Sequence, residues 1–494
     1  MTKAHPLTTR DDNLGDLLAA PTPLGFGDIV RFDHLRQRWL IWNGVRWRPD
    51  HQRAVYDLIR LRVQSWWRAS NEDVTPDSTG NEDQQMCALL TDAGWFNTGH
   101  GEFRKVVLPV FDTGKKESIL KGLSAREGIA MAGDEWDTDP YLVGFDNGIM
   151  DFRAGRFHEH PDPNMLVSKT VGCDWDVDAE FPEDRGFDWF LKDIMDGDLE
   201  LVAYLRRLMG YCLLGLQSEQ KFWMWVGRGS NGKGVLAKTI VTALGEYADT
   251  PTDTLYMKTR FGSTASSAAR PDLMRLQSLR FTYMSEPPGG AFNEALLKAH
   301  TGEDMILARD LYAKSEAMAR FPPTHKIVFL TNDPPKTDDV GVSMRRRVRV
   351  VQFQRDYSAN PDVMMEEHLR TQKQAILKLM VLEAIGWLTK GMPEPKAITE
   401  WSDQYISEND PITQFVMERC VTDSNARVSA GTLWSAYQEW CAKNRTETMS
   451  RAAFGLALGR KFNKKHAETG TWYDGLRVKS AMDFAEEAND DTEG

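Results

Sequence analysis

The spacing of apolar and polar positions changes along the chain, and each change marks a candidate element. Residues 28–50, DIVRFDHLRQRWLIWNGVRWRPD, alternate well enough for a hairpin with Asn43-Gly44 at its turn. Helical spacing follows over 51–69, and the polar, turn-rich run 69–85 reads as a loop or linker. A helix is predicted over 117–132, and strands joined by turns at Asp146-Asn147-Gly148 and Ala154-Gly155 over 135–163. Residues 187–215 are helical in two pieces, broken at Asp196-Gly197-Asp198. From 221 to about 355 strands alternate with helices, the α/β pattern. A helix over 365–391 ends at Gly391 with Pro393 beyond it, and another starts over 395–409. Asn409 or Asp410 then caps a helix with Pro411 at its first position. It opens a C-terminal region of short helices and a hairpin, and the final EEANDDTEG reads as a disordered acidic tail.

Size and composition narrow the class. The chain has 494 residues, enough for two to four domains, and 41% hydrophobic and 10% aromatic content can build real cores. The five cysteines are scattered with no C-x-x-C pair, which suggests neither a zinc site nor a disulfide framework and suits a reducing cytosol. The polar N-terminus has no signal-peptide core, and no apolar run approaches a membrane span. A net charge of −12 argues against coating nucleic acid over the whole surface but leaves room for a local basic channel. Trp39, Trp42 and Trp47 interleave with Arg36, Arg38, Arg46 and Arg48. A small sheet with tryptophans inside and arginines outside is preferred there over stacking on nucleic acid. Asp174, Asp176 and Asp178 read as a solvated loop, not a metal site.

The candidate chemistry centres on 221–245, KFWMWVGRGSNGKGVLAKTIVTALG. A short aromatic-rich apolar run reads as a buried strand. Gly227-Arg228-Gly229-Ser230-Asn231-Gly232-Lys233 then fits the phosphate-binding pattern G-x-x-x-x-G-K, and Val235, Leu236, Ile240, Val241 and Leu244 recur at helical spacing. Glycines let the backbone curl so that N–H groups point at phosphate oxygens, and the helix that follows adds its positive dipole end. Gly234 stands where a Ser or Thr would help hold Mg²⁺, so metal coordination stays open. Hydrolysis further needs a carboxylate, a polar γ-phosphate sensor and a cation for the transition state. LRFTYMSEPP, 279–288, ends a strand in Ser285-Glu286, at a separation from Lys233 that fits neighbouring central strands. Glu286 would polarise water and, with Ser285, help hold Mg²⁺. HKIVFLTNDPP, 325–335, ends a strand in Asn332, the candidate sensor, and SMRRRVRVVQF, 343–353, carries Arg345, Arg346, Arg347 and Arg349.

These four elements, in this order, resemble superfamily 3 helicases of the AAA+ class, of the phage, plasmid and poxvirus primase-helicase type. FDNGIMDFRAGRFHEHPDPNMLVSKTVGCDWD resembles the small domain before that ATPase, and DQYISENDPITQFVMERC with a winged-helix-like tail also fits. The resemblance implies an α/β fold: an AAA+ P-loop core with a central parallel sheet over 216–395. Before it would come an N-terminal α+β region, 1–120, and a small α+β or helical domain, 121–215. A winged-helix-like domain, 396–482, and the tail, 483–494, would follow. It implies ATP and Mg²⁺ as ligands, with residues 227–235 around the nucleotide, Lys233 on phosphate, Glu286 as the Walker B acid and Asn332 as sensor. Arg346 or Arg347 would act on a neighbour's ATP in a hexameric ring. A pore hairpin over 305–321 would carry Lys314 to single-stranded DNA, with Lys298 and Arg309 as secondary contacts. Residues 1–130 show no apolar strand ending in Asp-x-Asp, so a separate primase or polymerase is expected. Independently, 443–465 holds seven basic residues against Glu447 alone, which makes Arg460 and Lys461 candidate duplex contacts. The reading is an ATP-driven replicative DNA helicase acting on forked DNA, in a bacterial cytoplasm, for a phage, prophage or plasmid. A DNA-dependent ATPase acting as loader or initiator, and a nucleotide-binding scaffold with little hydrolysis, are the alternatives.

Overall fold

Five parallel strands organise the middle of the chain: β1 (Phe222–Val226), β2 (Ala248–Asp249), β3 (Phe281–Ser285), β4 (Lys326–Thr331) and β5 (Val348–Gln352). Their order is β5-β1-β4-β3-β2. The computed structural model describes residues 11–95, 100–258, 270–308, 319–337, 340–444, 448–468 and 470–483. β1 is apolar throughout because a central parallel strand is covered on both faces. Phe222 and Met224 enter one core with Ile327, Phe329 and Val350, while Trp223 and Trp225 enter the other with Val328, Leu330 and Leu236. Helices α1 (Phe187–Ile194), α2 (Leu199–Tyr211), α3 (Lys233–Leu244), α4 (Met365–Arg370) and α5 (Lys373–Lys390) supply that second core. Trp223 keeps its indole N–H satisfied there by donating to the Tyr204 hydroxyl at 2.7 Å.

Three expectations change. β4 lies between β1 and β3, so the strands that end in the glycine loop and in Glu286 are not neighbours. The helix expected over 365–391 is two helices. Gln372 is buried at the break, and its side-chain oxygen accepts the Phe187 N–H at 2.9 Å. The helix expected over 117–132 is Thr113–Leu123; Gly128 then takes a positive φ, and Ala130–Met131 pairs parallel with Val30–Asp33.

Residues between Leu14 and Ile129 form their own core around Trp66, Phe103 and Leu123. The strands Val30–Asp33, Arg38–Trp42 and Trp47–Pro49 pair antiparallel, with Asn43-Gly44 at the tight turn. Trp47 is buried against Trp136, ring centroids 5.8 Å apart. Arg46, expected outside, is buried too. Its guanidinium donates to the Ser168 carbonyl at 2.6 Å and to the Glu246 carboxylate at 3.0 Å. Glu246, in the turn after α3, also accepts the Thr170 N–H at 2.9 Å, and its carbonyl accepts from Lys169 Nζ at 3.0 Å.

The C-terminal region runs α6 (Pro411–Arg419), β6 (Cys420–Ser429), α7 (Ala430–Asn444), α8 (Arg451–Lys461), β7 (Asn463–Ala467) and β8 (Gly470–Val478), with sheet order β6-β8-β7. Asp410 caps α6, accepting the Ile412 N–H at 2.9 Å. Phe415, Tyr437, Trp440 and Phe454 centre its core. β6 escapes sequence reading because its middle, Thr422 to Arg427, is polar and its pairing shifts register there.

Candidate active site

Parallel pairing places three strand ends at one edge of the sheet. Trp225 is opposite Leu330, Val226 opposite Thr331, and Leu330 opposite Ser285. Gly227, Asn332 and Glu286 follow these residues directly, at the edge where ligands bind in open α/β sheets.

The glycine loop is shaped by contacts that leave no room for side chains. A Cβ on Gly227 would lie 2.3 Å from the Phe353 carbonyl oxygen. Gly232 has φ +85°, and a Cβ there would meet Ile194 Cγ2 at 2.5 Å. Asn231 is buried and staples the loop, donating to the Arg228 carbonyl at 2.5 Å and the Phe353 carbonyl at 3.3 Å. Among the described residues no acceptor takes the N–H groups of Gly229, Ser230, Asn231 or Gly232. With the first turn of α3 they form an anion cradle. Ser230, Gly232, Lys233, Gly234, Val235, Lys238 and Ser285 line a cavity of about 320 Å³ there.

Lys233 is buried at the cradle's centre. Its Nζ donates to the Gly227 carbonyl at 2.6 Å and to Asn332 Oδ1 at 3.1 Å. Burial lowers its pKa, and the Glu286 carboxylate opposes that shift. Phosphate loop, sensor candidate and acid are thus gathered around one ammonium. Glu286 is exposed and has φ +47°, an uncommon conformation for a residue with a Cβ, with its N–H donating to the Leu330 carbonyl at 2.8 Å. Ser285 is also exposed.

No cluster of three or more His, Cys, Asp or Glu that could hold a metal occurs among the described residues. A Ser285–Glu286 donor pair nevertheless fits Mg²⁺, which takes one or two protein carboxylates and completes its shell with phosphates and water. A Cβ on Gly234 meets nothing within 4 Å. Gly234→Ser is therefore expected to fold normally, to gain about 0.5 kcal/mol of helix stability, and to lower the half-saturating Mg²⁺ concentration for hydrolysis, read from a Mg²⁺ titration.

The arginines divide. Arg345 pairs with Asp403. Arg347 corrects the expectation of a finger: it is buried, with Nε on Thr301 Oγ1 at 3.2 Å and Nη1 on Ser343 Oγ at 2.9 Å. Arg349 bonds Glu394 at 3.2 Å. Arg346 is exposed and has no side-chain partner among the described residues. It precedes β5, whose first residue pairs with the first residue of β1. At about 3.3 Å per strand residue, Arg346 lies roughly 20 Å from its own glycine loop.

The remaining candidates are more scattered. Lys298 is half-buried on the helix Glu294–His300 and does not line the cavity. Ile306–Ala308 and Ala319–Phe321 pair antiparallel as the expected hairpin requires, while Arg309 and Lys314 lie outside the described residues. Arg460 is exposed on α8. Lys461 is a correction: its Nζ bonds Asp410 at 2.9 Å and Thr413 at 2.7 Å, so it ties α8 to the start of α6. Asn231, expected among the nucleotide-site residues, also staples the loop, while Lys238 as cavity lining was missed because nothing in its spacing marks it.

Comparison with known proteins adds the family. Residues 24–196 match the D5 N terminal like family, and residues 407–493 match the Poxvirus D5 protein-like family. The chain thus carries two segments similar to D5-type domains. The two D5 matches flank the parallel sheet. A putative helicase (L207/L206) of Acanthamoeba polyphaga mimivirus is 27% identical over 334 residues, covering 63% of this chain and 34% of its own length. Putative helicase 022R of Frog virus 3 is 24% identical over 459 residues, covering 74% and 47%. Putative primase C962R of African swine fever virus is 24% identical over 341 residues, covering 62% and 34%. The chain thus spans a third to a half of the length of these relatives. They come from large DNA viruses and lend no support to the expected bacterial host. Among solved structures, the NrS-1 C terminal region aligns over 48% of this chain and 56% of its own, at 16% identity and a TM-score of 0.33. No helix among the described residues is long and apolar enough to cross a membrane.

Proposed function

We propose that this chain is the motor of an ATP-driven DNA helicase, an AAA+ ATPase of superfamily 3, working as a hexameric ring in replication of a viral or plasmid genome. The observation that carries this reading is the meeting of Lys233, Asn332 and Glu286 at one edge of a sheet ordered β5-β1-β4-β3-β2. In this order the sensor strand stands between the loop strand and the acid strand, so Asn332 faces the space where a γ-phosphate would lie.

The loop N–H groups and Lys233 hold the phosphates of ATP. Glu286 accepts a proton from the attacking water, and Asn332 orients that water. Ser285 and Glu286 would hold Mg²⁺ beside the phosphates, where it would supply charge neutralisation. Arg346 cannot reach its own loop and serves the neighbour's. The hairpin carrying Lys314 contacts single-stranded DNA in the pore, with Lys298 and Arg309 beside it. Arg460 on α8 contacts duplex phosphate, in the helix-plus-hairpin arrangement of a winged helix.

The test is hydrolysis and strand displacement on forked DNA, with Lys233→Ala as control. Forked DNA is expected to stimulate hydrolysis at least about tenfold, and Lys233→Ala to abolish both activities. Hydrolysis without displacement would replace the motor by a loader. No DNA-stimulated hydrolysis would leave a nucleotide-binding scaffold.

A further inference from the structure

A second cavity, of about 280 Å³, opens beside the first. Ser230, Gly232 and Val235 line both, so the glycine loop is their common wall. The far wall of the second cavity comes from α1 and from residues 357–362. It is predominantly apolar, with Trp189, Phe190 and Tyr357 as its aromatic surface.

Each part is held. α1 buries Phe187, Phe190, Leu191 and Ile194, which turns Trp189 outward, 45% exposed. The Tyr357 N–H donates to the Ser230 carbonyl at 2.7 Å, fastening the 357–362 segment to the glycine loop. The Tyr357 hydroxyl donates to Asp193 at 2.7 Å, and burial pushes its pKa up to about 12. Arg355 adds a second bond to Asp193 at 2.9 Å. Across the mouth, Arg185 pairs with Asp362 at 3.0 Å. The exposed side-chain amide of Asn360, also on the lining, has no hydrogen-bond partner among the described residues.

We infer that this cavity is the nucleobase site, with Trp189 as stacking platform and Asn360 as reader of the adenine edge. The inference rests on the phosphate reading of the first cavity and extends it. A nucleotide whose phosphates lie against residues 229–235 has its sugar and base a few ångströms from them, and the adjoining cavity is large enough for both. An exposed indole beside apolar walls offers the π-face that any base can stack on. A carboxamide carries one donor and one acceptor side by side, the complement of adenine's N7 acceptor and N6 donor. Guanine presents two acceptors at the equivalent edge, so Asn360 discriminates against it.

The experiment is calorimetric titration of the full chain with ATP, GTP and inorganic tripolyphosphate. Trp189→Ala is expected to weaken ATP at least about fivefold and to leave tripolyphosphate unchanged, with Trp189→Phe restoring most of the affinity. Asn360→Ala is expected to reduce the preference for ATP over GTP. Thermal melting of Trp189→Ala at the wild-type temperature confirms that the fold is kept. An unchanged ratio of ATP to tripolyphosphate affinity in Trp189→Ala overturns the base site while the phosphate site stands. If the wild type binds tripolyphosphate no better than Lys233→Ala does, the phosphate reading fails, and the base site fails with it.

Discussion

Glu286→Gln is expected to lower single-turnover ATP hydrolysis by about 10²–10⁴ while ATP affinity changes less than about threefold. Gln keeps the size and shape of the side chain but takes no proton from water at neutral pH. Glu286 is exposed, and its backbone is fixed by the N–H donated to the Leu330 carbonyl. The substitution therefore has nothing to unfold. Phosphate binding persists because the cradle and Lys233 Nζ lie on β1 and α3, not on β3. Lys233 loses a favourable charge, since Glu286 opposes the effect of burial on its ammonium. That loss sets the small change in affinity. Rapid-quench hydrolysis with nucleotide binding measured alongside decides the matter: equal rates in the two proteins would remove Glu286 from the chemistry.

Arg346→Ala is expected to lower hydrolysis by about 10³–10⁵ in the assembled protein without changing its stability. Arg347→Ala is expected to destabilise the fold by about 2 kcal/mol or more, because it strips a partner from the buried Thr301 and from the half-buried Ser343. A urea midpoint separates the two variants before any kinetics. A mixing experiment then tests the action in trans. An interface that takes Glu286 from an Arg346→Ala protomer and Arg346 from a Glu286→Gln protomer is complete. Mixing the two inactive proteins should therefore restore hydrolysis, with a maximum near equal proportions. If the mixture stays inactive at every ratio, the arginine does not work across an interface.

How much of this was readable in the sequence differs from residue to residue. The glycine loop, Glu286 and Asn332 could be picked out because each ends a short apolar run, and burial of a central strand makes such runs conspicuous. Strand order could not, since pairing is non-local and β4 joins β1 across a long separation. The choice between Arg346 and Arg347 depends on which side of the short helix Val342–Arg345 faces the core, and one turn is too short to show a period. The same limit hid Lys461, whose partner Asp410 is far away in sequence. The wall of the second cavity joins 185–194 to 357–362, two stretches with no motif in either. Arg309 and Lys314 lie outside the described residues, so the pore contact rests on the flanking pair of strands alone.

Arg46 and Glu246 set how motion passes through the molecule. Glu246 follows directly on the helix that begins at Lys233, and it is held from three sides by Arg46, Lys169 and Thr170. The N-terminal sheet is thereby tied to the C-terminal end of the helix that begins at Lys233. A tilt of that helix would therefore be felt, through Arg46, by the strands that begin at Val30.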